Sequence, residues 1–310
     1  MATSTRLITT SHGTNREAFS AQDWGLFISL ALIWGSSFLL IAVGLDSFHP
    51  GVVTMLRVAF GAAVIALVPA ARSRRIDRAD WPRIALLAAV WVAIPFTLFP
   101  IAQQWIDSAI AGMLNGATPI FTALIATILL RTLPGPMQIV GLALGFAGIL
   151  AIALPSAGSG TTAGVGVTLV IVATIGYALS LNMVPPLQQK YGSLPVIARV
   201  QWVAALMVVP FGLSGVGDST FSWASFLAVV AIGVLGTGLA FVMMGTLAGS
   251  VGATRASFLT YLLPVVALVL GVVFRDELVS PVSVIGAAMV IAGAVLASRR
   301  ETSPQISSPT

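Results

Sequence analysis

Ten long apolar stretches alternate with short polar breaks along this chain, each about the 20 residues that a helix needs to cross a bilayer. They run over 24–45, 50–70, 83–105, 108–130, 135–155, 164–187, 194–213, 222–247, 251–274 and 279–298. No Asp or Glu lies deep in any of them, and most of the breaks are only a few residues long. The pattern predicts an all-α, polytopic membrane protein with ten transmembrane helices.

One design occurs twice. Ser108 to Leu130 is uncharged, with Pro119 near its middle. A proline inside a helix removes one backbone donor and frees the carbonyl four residues earlier, here that of Asn115. Thr254 to Phe274 repeats the arrangement 145 positions on, with Pro264 and Thr260. The same offset aligns Pro50 with Pro195, Pro136 with Pro281, Gly141 with Gly286 and Gly148 with Gly293. An offset of 143 aligns Trp34 with Tyr177 and Ser37 with Ser180. So many coincidences mark an internal repeat. The unit has five spans, an odd number, so the two copies lie in opposite orientation. The first repeat occupies 23–155 and the second 163–298, flanked by polar tails at 1–22 and 299–310. Interrupted helices at matching places in two inverted halves point to a transporter's binding site.

Charge orients the bundle. With the first tail inside, 13 basic residues fall on the inner side and only Arg275 on the outer. Inner loops rich in Lys and Arg set topology, so both termini are expected in the cytoplasm. The break from Ala71 to Pro82 is the most basic, with Arg72, Arg74, Arg75 and Arg78. The outer loops carry Asp46, Asp107, Asp218, Asp276 and Glu277 instead.

Composition agrees: 57% of the 310 residues are hydrophobic and 8% charged, where a soluble domain carries about 25% charge. The formal charge of +5 therefore belongs to orienting loops and implies no nucleic acid. With no cysteine, disulfides and thiolate metal sites are excluded. His12 and His49 lie in the tail and at a loop edge, so no metal or cofactor is expected. There is no P-loop, and Gly158-Ser-Gly160 has no His nearby, so the chain does not read as an enzyme. The first 20 residues lack an apolar core and read as a cytoplasmic tail rather than a signal peptide.

Ile33-Trp34-Gly35-Ser36-Ser37-Phe38, Arg57, the central prolines of the fourth and ninth spans, Arg275-Asp276-Glu277 and the Gly-rich fifth and tenth spans form an ordered, duplicated set. Over Trp24 to Ala297 the chain resembles the EamA-type branch of the drug/metabolite transporter superfamily. The resemblance implies ten helices in two EamA repeats and movement of small metabolites, often outward. The acidic residue that often follows the fourth span is absent, replaced by Arg131-Thr132, so its role is left to Glu277.

The candidate substrate-binding residues are Trp34, Arg57, Asn115, Tyr177, Trp202, Thr260 and Tyr261, with Pro119 and Pro264 as helix interruptions. An arginine inside a span is costly and marks a function by default; the alternative is that Arg57 snorkels to the outer surface or pairs with Asp46. Asn115 and Thr260 own the carbonyls that the prolines free. Trp34, Trp91 and Trp202 lie inside spans, where they either wall a cavity or pack between helices. Gly141–Gly145 and Gly245–Gly249 form GxxxG patterns, read as packing within the bundle, with a dimer face as the alternative. The protein is expected to be a monomer or homodimer. These features together predict a secondary transporter of small molecules in the cell membrane. The resemblance suggests export of amino acids or related compounds. A receptor or a membrane-embedded enzyme is the competing class.

Overall fold

The computed structural model describes residues 20–130, 135–157, 161–251 and 257–298. Both tails, Arg131-Thr132, Gly158-Ser-Gly160 and the start of the ninth span lie outside the described residues.

Ten spans are present among the described residues, seven of them long and apolar enough to cross a membrane and three shorter. Span α1 bends at Ser36 into Ala21–Gly35 and Ser37–Leu45. It opens on a capping box, in which Ser20 Oγ accepts from the Asp23 amide and the Asp23 carboxylate accepts from the Ser20 amide. Span α2 is Pro50–Ala66, with proline in its first turn where no donor is lost. Span α3 joins Trp81–Leu87, a π-helical stretch Ala88–Ala93, and Ile94–Ala102. Span α4 is Ser108–Asn115 followed by Thr118–Leu130, and α5 is Pro136–Ala157. The second half follows with α6 at Thr161–Tyr191 and α7 at Ser193–Ser214. Span α8 joins Trp223–Ala231, a second π-helical stretch Ile232–Leu239, and Ala240–Val251. Span α9 is a 3₁₀ turn Ser257–Tyr261 leading into Leu263–Arg275, and α10 is Pro281–Ser298. Between α6 and α7 stands Gly192 at φ 85°, a left-handed turn that glycine adopts without a Cβ penalty.

The packing has the two-fold pattern that an inverted repeat demands. Helix α1 packs on α8 and α9, and its counterpart α6 packs on α3 and α4. Helix α2 packs on the π stretch of α8, and α7 on that of α3. The pairs α2–α7, α4–α9 and α5–α10 close the pattern on themselves. The π stretches are themselves related, since Ala88–Ala93 lies within one or two residues of 145 positions before Ile232–Leu239.

The α5–α10 pair sits behind the rest and is built on glycine. A Cβ at Gly148 would lie 2.6 Å from the Gly286 carbonyl, and one at Gly286 would lie 2.7 Å from that of Gly148. Gly141 and Gly293 face each other in the same way, at 2.7 and 2.6 Å. Each glycine thus meets the repeat counterpart of the other, and backbone touches backbone. Gly145, the second glycine of the first GxxxG pattern, presses against Ile120 of α4, so that pattern is spent inside the bundle. Small residues let membrane helices approach this closely, and association then rests on van der Waals contact rather than on a hydrophobic drive.

Gly148→Leu should therefore overpack the α5–α10 seam and lower stability by about 1–3 kcal/mol, read as a depressed melting temperature in detergent. Gly164→Ala, at a site with no atom within 4 Å of a new Cβ, should leave the melting temperature unchanged or raise it.

Candidate functional site

The prolines act differently from mid-helix kinks. Pro119 and Pro264 are each the second residue of a helical segment, Thr118–Leu130 and Leu263–Arg275. Their missing donors fall where a helix start has no partner anyway. The chain before each is a tight turn rather than an unwound strand: the Gly116 amide donates to Gly112 and Met113, and the Leu262 amide donates to Leu259. The Asn115 carbonyl accepts from Thr118 Oγ1 at 2.7 Å. The two interruptions also touch, because a Cβ on Gly116 would strike the Pro264 ring.

Beside this crossing lies a central cavity of about 140 Å³, the size class that admits a benzene ring in an apolar core. Trp34, Arg57, Asn115, Tyr177 and Thr260 line it, as do Thr118, Ser37 and Leu181. Its walls are aromatic. Phe241 packs edge-on to Trp34 at 5.8 Å and tilted against Trp91 at 5.2 Å, while Phe99 stacks on Tyr177 at 5.8 Å and meets Phe38 edge-on at 5.5 Å.

Among the described residues Arg57 is the one charged group on this wall, and it is 5% exposed. Its Nε donates to Thr237 Oγ1 at 3.1 Å, and its guanidinium lies 3.6 Å over the Phe96 ring. Among the described residues no carboxylate pairs with it. The expected alternative partner, Asp46, instead takes Arg275 in a two-pronged ion pair at 2.7 and 2.9 Å. Thr237 lies in the π stretch of α8 and donates to the Ile232 carbonyl five residues back. Gly236, next to it, accepts from Trp34 Nε1 at 2.8 Å. Phe96, Thr237 and Gly236 escaped the sequence reading. Pro100 was the available signal for Phe96: it frees the Phe96 carbonyl, which Thr54 Oγ1 reaches at 2.8 Å.

Two candidates are elsewhere. The Tyr261 hydroxyl donates to the Ala294 carbonyl of α10, away from the cavity. Trp202 is 52% exposed and lies in a surface groove beside Arg72 and Arg199. Trp91 stands on the cavity wall in its stead.

Polar clasps tie the repeats at both ends. At the end that carries the basic loop, Lys190 Nζ reaches Asp77 and Asp80 at 2.8 Å, and the Tyr191 hydroxyl reaches Asp80 at 2.7 Å. Lys190 holds Asp77 below the usual carboxylate range. Burial raises Asp80, but Lys190, Tyr191 and Arg83 outweigh it and bring its carboxyl below that range too. A depressed carboxyl stabilises the fold above its unfolded value and loses that contribution as the pH falls through the folded one, so this clasp is intact at neutral pH. At the opposite end of the bundle Asp276 takes the left-handed conformation, φ 53°, at the end of α9. That turn brings the Glu277 carboxylate onto the start of α4, where it accepts from the Ser108 amide at 3.0 Å, Ser108 Oγ at 2.6 Å and the Ala109 amide at 2.8 Å. A carboxylate suits the positive end of a helix.

Thr118→Val should leave the Asn115 carbonyl without its side-chain donor in a buried site and cost about 1–3 kcal/mol. Asn115→Ala keeps that bond and should be milder in a thermal melt. Equal melting temperatures for Thr118→Val and the natural chain would show that the hydroxyl does not secure the interruption.

Comparison with known proteins adds identity to this geometry. The model of the EamA-like transporter family matches residues 24–154 and again 164–299. The chain is 27% identical to the "Probable terminal-alkyne amino-acid exporter" of Streptantibioticus cattleyicolor, over 89% of this chain and 93% of that one. It is 25% identical to the uncharacterized inner membrane transporter YedA of Escherichia coli, covering 88% and 89%. It is 24% identical to the uncharacterized transporter YdfC of Bacillus subtilis, covering 84% and 86%. One solved crystal structure shares the fold at a TM-score of 0.63 and 19% identity, covering 90% of this chain and 97% of the other.

Proposed function

The chain belongs to the EamA-like transporter family, and on that premise we propose that it exports amino acids or related small carboxylates by alternating access. The observation that carries the substrate class is Arg57. A guanidinium buried in the membrane is expensive, and no carboxylate of the described chain compensates it. A substrate carboxylate would, through the planar two-pronged geometry that arginine offers. Trp34, Tyr177 and the phenylalanines around them would take the apolar part of the substrate, while Asn115 and Thr260, on the two interruptions, would meet its polar groups. The name of the Streptantibioticus relative supports the amino-acid class.

The repeats at 23–155 and 163–298 would rock against each other, making and breaking the clasps at the two ends in turn. No carboxylate lines the cavity among the described residues, which supports uniport or exchange over proton coupling. The functional unit in this reading is a monomer or homodimer with both termini in the cytoplasm, an orientation that the charge asymmetry supports.

Counterflow in proteoliposomes tests the substrate class. Arg57→Lys should weaken carboxylate-bearing substrates at least tenfold more than cationic ones, the discrimination expected where a bidentate pair worth about 1.5–3 kcal/mol is lost, and exchange should persist without a proton gradient. Equal loss for all substrates would return Arg57 to a structural role. Topology is tested separately: reporters placed after Ser73 and at Thr310 should both read cytoplasm.

A further inference from the structure

Helix α2 is one of the three short spans. Its 17 residues reach only about 25 Å, less than the hydrocarbon thickness of about 30 Å. The chain then turns through a 3₁₀ segment, Pro69–Arg72, that packs against α7. Beyond the short end of α2 a surface groove of about 360 Å³ is left between α2, α7 and the start of α3. Its floor is small and apolar, with Ala198 and Val203. Trp81 and Trp202 line it, 42% and 52% exposed. Arg72 and Arg199 also line it.

Those two arginines are fixed in place but not neutralised. Arg72 donates to the Ala66 carbonyl at 2.7 Å. Arg199 donates to the carbonyls of Ala71 and Arg74. Neutral acceptors hold both guanidiniums, and each keeps further N–H donors. The nearby carboxylates are already engaged, Asp77 with Lys190, and Asp80 with Lys190 and Arg83. Arg72, Arg74, Arg75, Arg78, Arg83, Lys190 and Arg199 against Asp77 and Asp80 leave this face with seven positive charges and two negative, a net +5.

We propose that the groove under the short end of α2 binds an anionic phospholipid, its phosphodiester between Arg72 and Arg199 and its acyl chains against Trp202 and Val203. Three features agree on that occupant. The charge complements a phosphate. Tryptophans favour the level of the headgroups. Basic pockets between helices at the membrane surface recognise anionic headgroups. A lipid would also fill the thickness that α2 does not span. The site is separate from the central cavity and does not depend on which metabolite that cavity carries.

The test is native mass spectrometry of the full, delipidated chain titrated with phosphatidylglycerol or phosphatidylcholine of the same acyl chains. Phosphatidylglycerol should be retained about tenfold more tightly or better, the scale that two arginines give at an anionic surface. Trp202→Ala, at a half-exposed position that need not disturb the core, and Arg72→Gln should each reduce that preference at least threefold without lowering the melting temperature. Arg75→Gln, a loop residue outside the groove, should leave it unchanged. Equal retention of the two lipids would overturn the proposal. So would an equal loss in Arg75→Gln, which would show diffuse loop charge rather than a built site. Full competition by soluble glycerophosphoglycerol at matched concentration would overturn the lipid assignment in favour of a free phosphodiester.

Discussion

A backbone carbonyl in hydrocarbon has no water to turn to, and the centre of this protein is organised by that constraint. The helices are interrupted at Gly116–Ala117 in α4 and before Leu263 in α9, pass through π stretches in α3 and α8, and carry Pro100 inside the last segment of α3. Side chains reach into these places. Thr118 serves the Asn115 carbonyl, Thr54 that of Phe96, and Trp34 that of Gly236. Of these groups Thr118, Asn115 and Trp34 also line the otherwise aromatic cavity. Structural satisfaction and candidate recognition share the same residues.

The two-fold arrangement explains where symmetry serves and where it is given up. For α5 and α10 to touch, Gly141 must meet Gly293 and Gly148 must meet Gly286, each the repeat counterpart of the other glycine, so both copies carry both glycines. Asn115 and Thr260 are equivalent and both face the cavity. Arg57 and Trp202 are also 145 positions apart, yet one points into the cavity and the other lies on a surface groove. A second buried guanidinium would double the desolvation cost and oppose the first, so a single charge gives the cavity one polar pole. The ends differ as well. One clasp is a set of ion pairs around Asp80, while the other rests on Glu277 at a helix start.

Much of this was legible in the residues themselves. The number of spans, their inverted duplication and the matching interruptions follow from apolar run length and from proline and glycine at a constant offset, because the bilayer fixes helix length and the backbone fixes what proline can do. Trp34, Arg57, Asn115, Tyr177 and Thr260 could be singled out for the same reason: a polar or aromatic group at membrane depth needs a partner. What the sequence could not supply is rotation about each helix axis and the exact residue at which a helix breaks. Tyr261 is adjacent to Thr260 but turns its hydroxyl to α10, and of the tryptophans inside spans the candidate Trp202 lies on a surface groove while Trp91 lines the cavity. The π stretches carry no periodic signature, so Thr237 and Gly236 stayed hidden, and the partner of Asp46 depended on which loops meet across the bundle. Local rules set the elements. Only the packing of ten helices against one another, with every buried donor and acceptor to be matched, decided which faces turn inward.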